Sequence, residues 1–176
     1  EGLDFYFSDY HRGVEIGKKI GLKVFLGVEH SYKGTDFLVY DLPENWYYAH
    51  PEIMSVKTSA MLGKMAEAGA LIVQAHPFRE ASYIDHIRLF PYAVQAAEVY
   101  NALQQDVFND RAKNYAESFG LIEFAGSDNH KAGGSSFYGG VMSATPVSGE
   151  ADFARLVRAG KMAIFRRARE EMPVGR

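Results

Sequence analysis

The spacing of hydrophobic and polar positions changes period several times along the chain, and each change marks the border of a predicted helix or strand. From Ser8, a capping residue, an amphipathic stretch runs to Ile20, with Asp9 in its first turn, Lys18 and Lys19 in its last, and Gly21 just beyond. Those are the marks of a helix over residues 8–20. Residues 22–28 and 36–42 are short β-branched and aromatic runs that read as strands, and Lys33, Gly34 and Thr35 supply turn chemistry between them. Pro43 and Pro51 bracket a loop holding Trp46, Tyr47 and Tyr48. A helix is expected over 55–68, with Met54, Met61, Leu62 and Met65 on one face as core filler and Gly69 at its end.

Further strands are predicted over 70–75, 95–100 and 121–125, the first stopping at His76 and Pro77. Between the last two lies a helix over 105–119, striped by Phe108, Ala112, Tyr115 and Phe119 and closed by Gly120. A helix over 150–159, capped by Ser148, and a strand over 161–165 complete the pattern; the tail from Arg166 is charged and expected to fray. Strands alternating with helices in the second half indicate an α/β architecture with parallel strands. Glu29, His76, Asn101, Asp128 and His130 are all expected where strands end and loops begin, the edge on which α/β folds build their sites.

Composition narrows the chemistry. The chain has 176 residues, 47% hydrophobic and 23% charged, which suits one globular domain. No cysteine is present, so any metal must be held by His, Asp or Glu; that absence also fits a reducing, cytoplasmic setting. A net charge of −3 argues against a broad nucleic-acid-binding face. The longest apolar runs fall far short of the ~20 residues of a membrane helix, and the first residues carry no signal-peptide pattern.

Gly126-Ser127-Asp128-Asn129-His130 puts a carboxylate and an imidazole two residues apart, so an extended segment points both to one side and both can reach one ion. His76 ends an apolar strand, and Glu29 follows a run with a single charge, so its carboxylate must be solvated, paired or metal-bound. Each is also compatible with plain capping or surface roles; clustering is what favours a hard divalent ion. Arg79, three residues after His76, is placed to clamp a phosphate if His76 lies in the site. Gly133, Gly134, Gly139 and Gly140 read as a flexible connection or a lid. His11, His30, His50 and His86 read as surface or packing residues, and neither a serine triad nor a P-loop is present.

Gly27-Val28-Glu29, Gln74-Ala75-His76-Pro77-Phe78-Arg79, Glu98-Val99-Tyr100-Asn101 and the Gly126 to His130 segment, in that order, resemble the later motifs of the PHP (polymerase and histidinol phosphatase) superfamily. The resemblance implies a distorted (β/α)7 TIM-like barrel, incomplete at its N-terminus, and divalent ions (zinc, manganese, iron or magnesium; one to three) that hydrolyse phosphate esters. It implies metal ligation by Glu29, His76, Asp128 and His130, with Glu29 shared between two metals and His130 a ligand of a further ion or a group on the substrate phosphate. Catalysis would rest on Glu29, His130 and Arg79, with Arg79 and Asn101 on the substrate; Glu98 with Asn101 would support the site. The family's opening H-x-H strand and T-[DE]-H-like segment do not occur before Glu29. On this reading the chain is one PHP-like domain: a remnant over 1–21, a barrel core over 22–165 and a tail over 166–176. It is either a shortened member or a degenerate one.

The leading functional expectation is metal-dependent hydrolysis of a small phosphorylated metabolite or nucleotide. The alternative is a noncatalytic PHP-like module that binds a ligand or partner. A mononuclear hydrolase of carbon–nitrogen bonds finds no matching lysine or N-terminal histidine pair.

Overall fold

The computed structural model describes residues 2–131 and 136–168. Helix α1 (Leu3–Ile20) begins five residues before the expected Ser8, at an extended Gly2, and Ser8 is interior to it, its hydroxyl donating to the Phe5 carbonyl. It ends as predicted, on Gly21 in the left-handed conformation (φ 73°) after Lys18 and Lys19. Strand β1 (Gly27–Tyr32) starts later than expected. Leu22 gives its N–H to the Gly17 carbonyl and Leu26 gives its own to Glu150 Oε1, so this segment finds backbone partners outside the sheet.

β1 and β2 (Thr35–Tyr40) form the expected hairpin, closed at Tyr32 and Thr35. Lys33 (φ 51°) and Gly34 (φ 79°) both take positive φ, the requirement of a two-residue turn whose twist suits the strands it joins. The anticipated loop after it contains a short helix, α2 (Glu44–Ala49), and a 3-10 turn, η1 (Pro51–Met54). Helix α3 (Thr58–Glu67) buries Met61, Leu62 and Met65. Strand β3 (Leu71–Ala75) is buried throughout, followed by β4 (Ala96–Asn101), helix α4 (Asp106–Phe119) and β5 (Ile122–Gly126). On α4 the buried stripe is Asn109, Ala112, Tyr115 and Ala116, while Phe119 is largely exposed.

The sheet runs β1-β2-β3-β4-β5, antiparallel at β1/β2 and β2/β3 and parallel at β3/β4 and β4/β5. The parallel α/β half therefore follows expectation. A closed (β/α)7 barrel is not seen among the described residues: the sheet is open, and the last two strands form a ladder of their own. These are β6 (Phe137–Ser143) and β7 (Met162–Ala168), antiparallel and separated by helix α5 (Glu150–Arg158). β6 replaces much of the glycine-rich connection expected there, and β7 extends past Arg166 into the expected tail. Gly133, Gly134 and residues 169–176 lie outside the described residues.

Buried apolar clusters flank the sheet, a small one joining Ala97 and Val99 to Tyr115 and Ala116 of α4. One face packs Val28, Phe37, Val39 and Ile72 against Phe7, Tyr47, Met61, Leu62 and Met65. The other packs Leu71, Val73, Ala96 and Phe124 against Ala154 and Val157 of α5. Strands covered on both sides read as continuous apolar runs, as Leu71-Ile72-Val73 does. No helix among the described residues is long and apolar enough to cross a membrane.

Candidate metal centre

The turn at Lys33-Gly34 fixes a register in which Ser31 faces Asp36 and Glu29 faces Leu38. Side chains two apart on a strand share a face, so Glu29 and Asp36 are diagonal neighbours on one side of the hairpin. Asp36 also pairs with Ala75 on β3, which brings the next residue, His76, alongside. Strict alternation from Ala75 would send the His76 side chain to the opposite face. His76 instead adopts φ 24°, unusual for a residue with a Cβ, and its Nε2 lies 3.5 Å from Asp36 Oδ2 and 3.7 Å from Glu29 Oε1. One ligand atom from each of Glu29, Asp36 and His76 falls within 4.8 Å of the others.

Burial differs across this group. Side chains of His76 and Asp36 are 3% and 4% exposed, whereas that of Glu29 is 47% exposed and forms the mouth. The His76 imidazole beside it holds the Glu29 carboxyl below its ordinary pKa. Burial works against charge on His76, but Glu29, together with Glu98 and Asp36, outweighs it and raises the imidazole above its usual value.

A cavity of about 230 Å3 adjoins the group, lined by Glu29, His76, Glu98, Asn101 and Asp128 and walled by Leu38 and Tyr40. Glu98 is buried, and its Oε2 accepts the His76 backbone N–H (2.9 Å) and Asn101 Nδ2 (3.0 Å). Burial pushes its carboxyl pKa up. The same Asn101 amide nitrogen donates to Asp128 Oδ2 (3.2 Å), and the backbone N–H of Asn101 is taken by Asn109 of α4. Gly126 lies so close to Glu98 Oε1 that a Cβ at that position would collide with it.

Asp128 sits in the left-handed region (φ 48°) just after β5. The turn before it is tied to β6 by Ser127, whose hydroxyl donates to the Gly139 carbonyl (2.7 Å) and accepts the Gly139 N–H (2.9 Å). The Gly139 backbone packs against Tyr100 and the Gly126 carbonyl, leaving no room for a side chain.

Of the residues singled out from the sequence, Glu29, His76, Asn101 and Asp128 line this one cavity, with Glu29 inside β1 rather than after a strand. His130 does not line it: its side chain is 75% exposed, with Nδ1 at 2.8 Å from the Asp128 carbonyl and 3.5 Å from Asp128 Oδ1. Arg79 is also outside the lining and pairs with Asp36, Nη2 to Oδ2 2.9 Å. It borders a separate hollow of about 530 Å3 along residues 79–87. Asp36 is the residue that sequence reasoning missed. The signal was available in the hairpin, since the turn register alone places it beside Glu29. His30 is buried and stacks on Tyr47, a packing residue as expected.

The donor set fits a divalent cation. Two carboxylates and an imidazole are ligands that zinc, manganese or iron accept. Buried polar groups are almost always partnered, yet Asp36 Oδ1 and His76 Nδ1 are buried without a hydrogen bond.

No family model matches the sequence, and no curated protein matches it. Solved structures do. A two-domain protein from Bacteroides vulgatus, containing a predicted PHP-like metal-dependent phosphoesterase, aligns with a TM-score of 0.66 at 13% identity, covering 90% of this chain and 49% of that one. A second, described as a "putative metal-dependent phosphoesterase" from Bifidobacterium adolescentis, aligns at 0.50 and 14% identity, covering 85% of this chain and 81% of that one. This chain thus spans about half the length of the first, with which it shares its fold.

Proposed function

We propose that this protein hydrolyses small phosphate esters at a divalent metal held by Glu29, Asp36 and His76. The observation that carries the reading is the convergence of three donor atoms within 4.8 Å of one another, two of them on side chains with an unpartnered buried atom. The shared fold supports it. When bound, a divalent ion supplies positive charge for a phosphoryl oxygen and lowers the pKa of a coordinated water. The chain's residues divide the remaining work. Glu29 stands at the mouth, reachable from solvent. Asp128, restrained by the Asn101 amide, offers a second carboxylate across the cavity for a further cation. Glu98 fixes the backbone at His76 and the amide of Asn101, so both sides of the cavity share one brace. His130, exposed beside Asp128, would meet the substrate phosphate. We read the open sheet as the larger arc of a distorted (β/α)7 barrel.

The test is elemental analysis and calorimetric Mn2+ titration of the purified protein, with hydrolysis of an aryl phosphate followed with and without added Mn2+. Metal binding near one equivalent or more, Mn2+-stimulated turnover, and loss of both in Asp36→Ala and His76→Ala are expected. Turnover indifferent to metal and to both substitutions would overturn the proposal; binding without turnover would favour a ligand-binding module.

A further inference from the structure

Arg79 and Asp36 form a partly buried ion pair in which neither partner is fully used. Asp36 Oδ2 meets Arg79 Nη2 at 2.9 Å, while Asp36 Oδ1 and Arg79 Nε are both buried without a hydrogen-bond partner. A guanidinium opposite a carboxylate usually engages through two parallel N–H groups, and this pair shows one. The same Asp36 oxygen lies 3.5 Å from His76 Nε2, so the guanidinium stands against the carboxylate on which the candidate metal donors converge.

We propose, on the reading of Glu29, Asp36 and His76 as a metal site, that Arg79 is the resident counter-ion of Asp36, displaced by the incoming cation and thereby released to bind phosphate.

A buried carboxylate with no opposite charge is strongly unfavourable, and Arg79 supplies that charge when no cation does. A divalent ion shared by Asp36, Glu29 and His76 takes over the role and repels the guanidinium across a short distance. The backbone at Arg79 stays fixed, because its N–H is held by the His76 carbonyl at 2.9 Å. Only the side chain needs to turn, and it already borders the 530 Å3 hollow. The acidic neighbours on that hollow are occupied: Glu80 pairs with Arg111 and Asp85 with Arg88. Released there, the guanidinium fork lacks an anion, and a tetrahedral phosphate matches its geometry. Cation and phosphate would then load in order, each strengthening the other.

The test separates the two ligands by calorimetry, using Mn2+ alone and then inorganic phosphate on Mn2+-loaded protein. Removing the competing charge in Arg79→Gln should tighten Mn2+ binding by about tenfold, while phosphate binding to the loaded protein weakens by about tenfold or more. In an Asp36→Asn background the gain in Mn2+ affinity should vanish. Unchanged or weaker Mn2+ binding in Arg79→Gln, beside a wild type that binds Mn2+, overturns this proposal and leaves the metal site standing. A wild type that takes up no Mn2+ overturns both. Should Arg79→Gln fail to fold, the wild type still decides: the Arg79 Nε–H resonance, assigned with Arg79→Lys, should move on addition of Zn2+ and again with phosphate, and a resonance unmoved by Zn2+ counts against displacement.

Discussion

The two sides of the cavity are built differently. On one side Glu29 and Asp36 come from adjacent strands whose spacing follows from a two-residue turn and ladder register, and His76, the residue after β3, joins them through its positive φ and a backbone bond to Glu98. On the other, Asp128 and His130 follow the end of β5, and their placement depends on hydrogen bonds reaching across from Asn101 and Gly139. The first side brings its donors together with atoms left unpartnered; the second leaves its imidazole mostly in solvent. Ladder register places Glu29 and Asp36 without further help, whereas His76, Asp128 and His130, each beyond the end of a strand, need their own ties.

That contrast sets the order of expected effects. Asp36→Ala or His76→Ala should weaken Mn2+ binding by about 100-fold or more, at least the loss seen when even supporting residues of metal sites are removed. Calorimetry measures it, and a loss confined to Asp128→Ala would reverse the assignment of the two sides. Acidification should act through the same donors, because protons compete with metal for deprotonated ligands. The raised pKa of His76 moves that competition to higher pH than a free imidazole would show, so Mn2+ affinity should already be falling as pH drops through the ordinary histidine range.

Smaller effects belong to the other side. Gly139→Ala forces a methyl group into the Tyr100 ring and the Gly126 carbonyl, and should cost about 1–3 kcal/mol of stability, read from chemical denaturation. Ser127→Ala removes two hydrogen bonds to one glycine and should cost about 1–3 kcal/mol, toward the lower end because the site is only partly buried. His130→Ala, at an exposed side chain, should stay within about 0.5 kcal/mol of wild type. A large loss of Mn2+ affinity in His130→Ala would show that the second side does hold metal.

Much of this architecture was legible in the residues. Periodicity located β3, β4, β5 and the helix α4 between the last two; β3 and β4 are buried almost throughout and read as apolar runs. The metal-ligand residue types at Glu29, His76 and Asp128 pointed to one edge, and the structure places them around one cavity. Asp36 was passed over as the first residue of the strand expected over 36–42; its meaning appears only once register is assigned. β6 was hidden by Gly139 and Gly140, which look like a flexible joint, yet Gly139 is required by close packing against Tyr100 and Gly140 by the Phe165 ring. Closure of the sheet is a long-range property that local period does not encode.

The contact between Glu98 and Gly126 carries a consequence for how this protein can vary. With a glutamate at 98, position 126 admits no side chain; with a larger residue at 126, the brace on His76 and Asn101 has no space to form. A lone substitution at 126 therefore presses on the Glu98 carboxylate and should be felt first at the two groups that carboxylate holds, the His76 backbone N–H and the Asn101 amide.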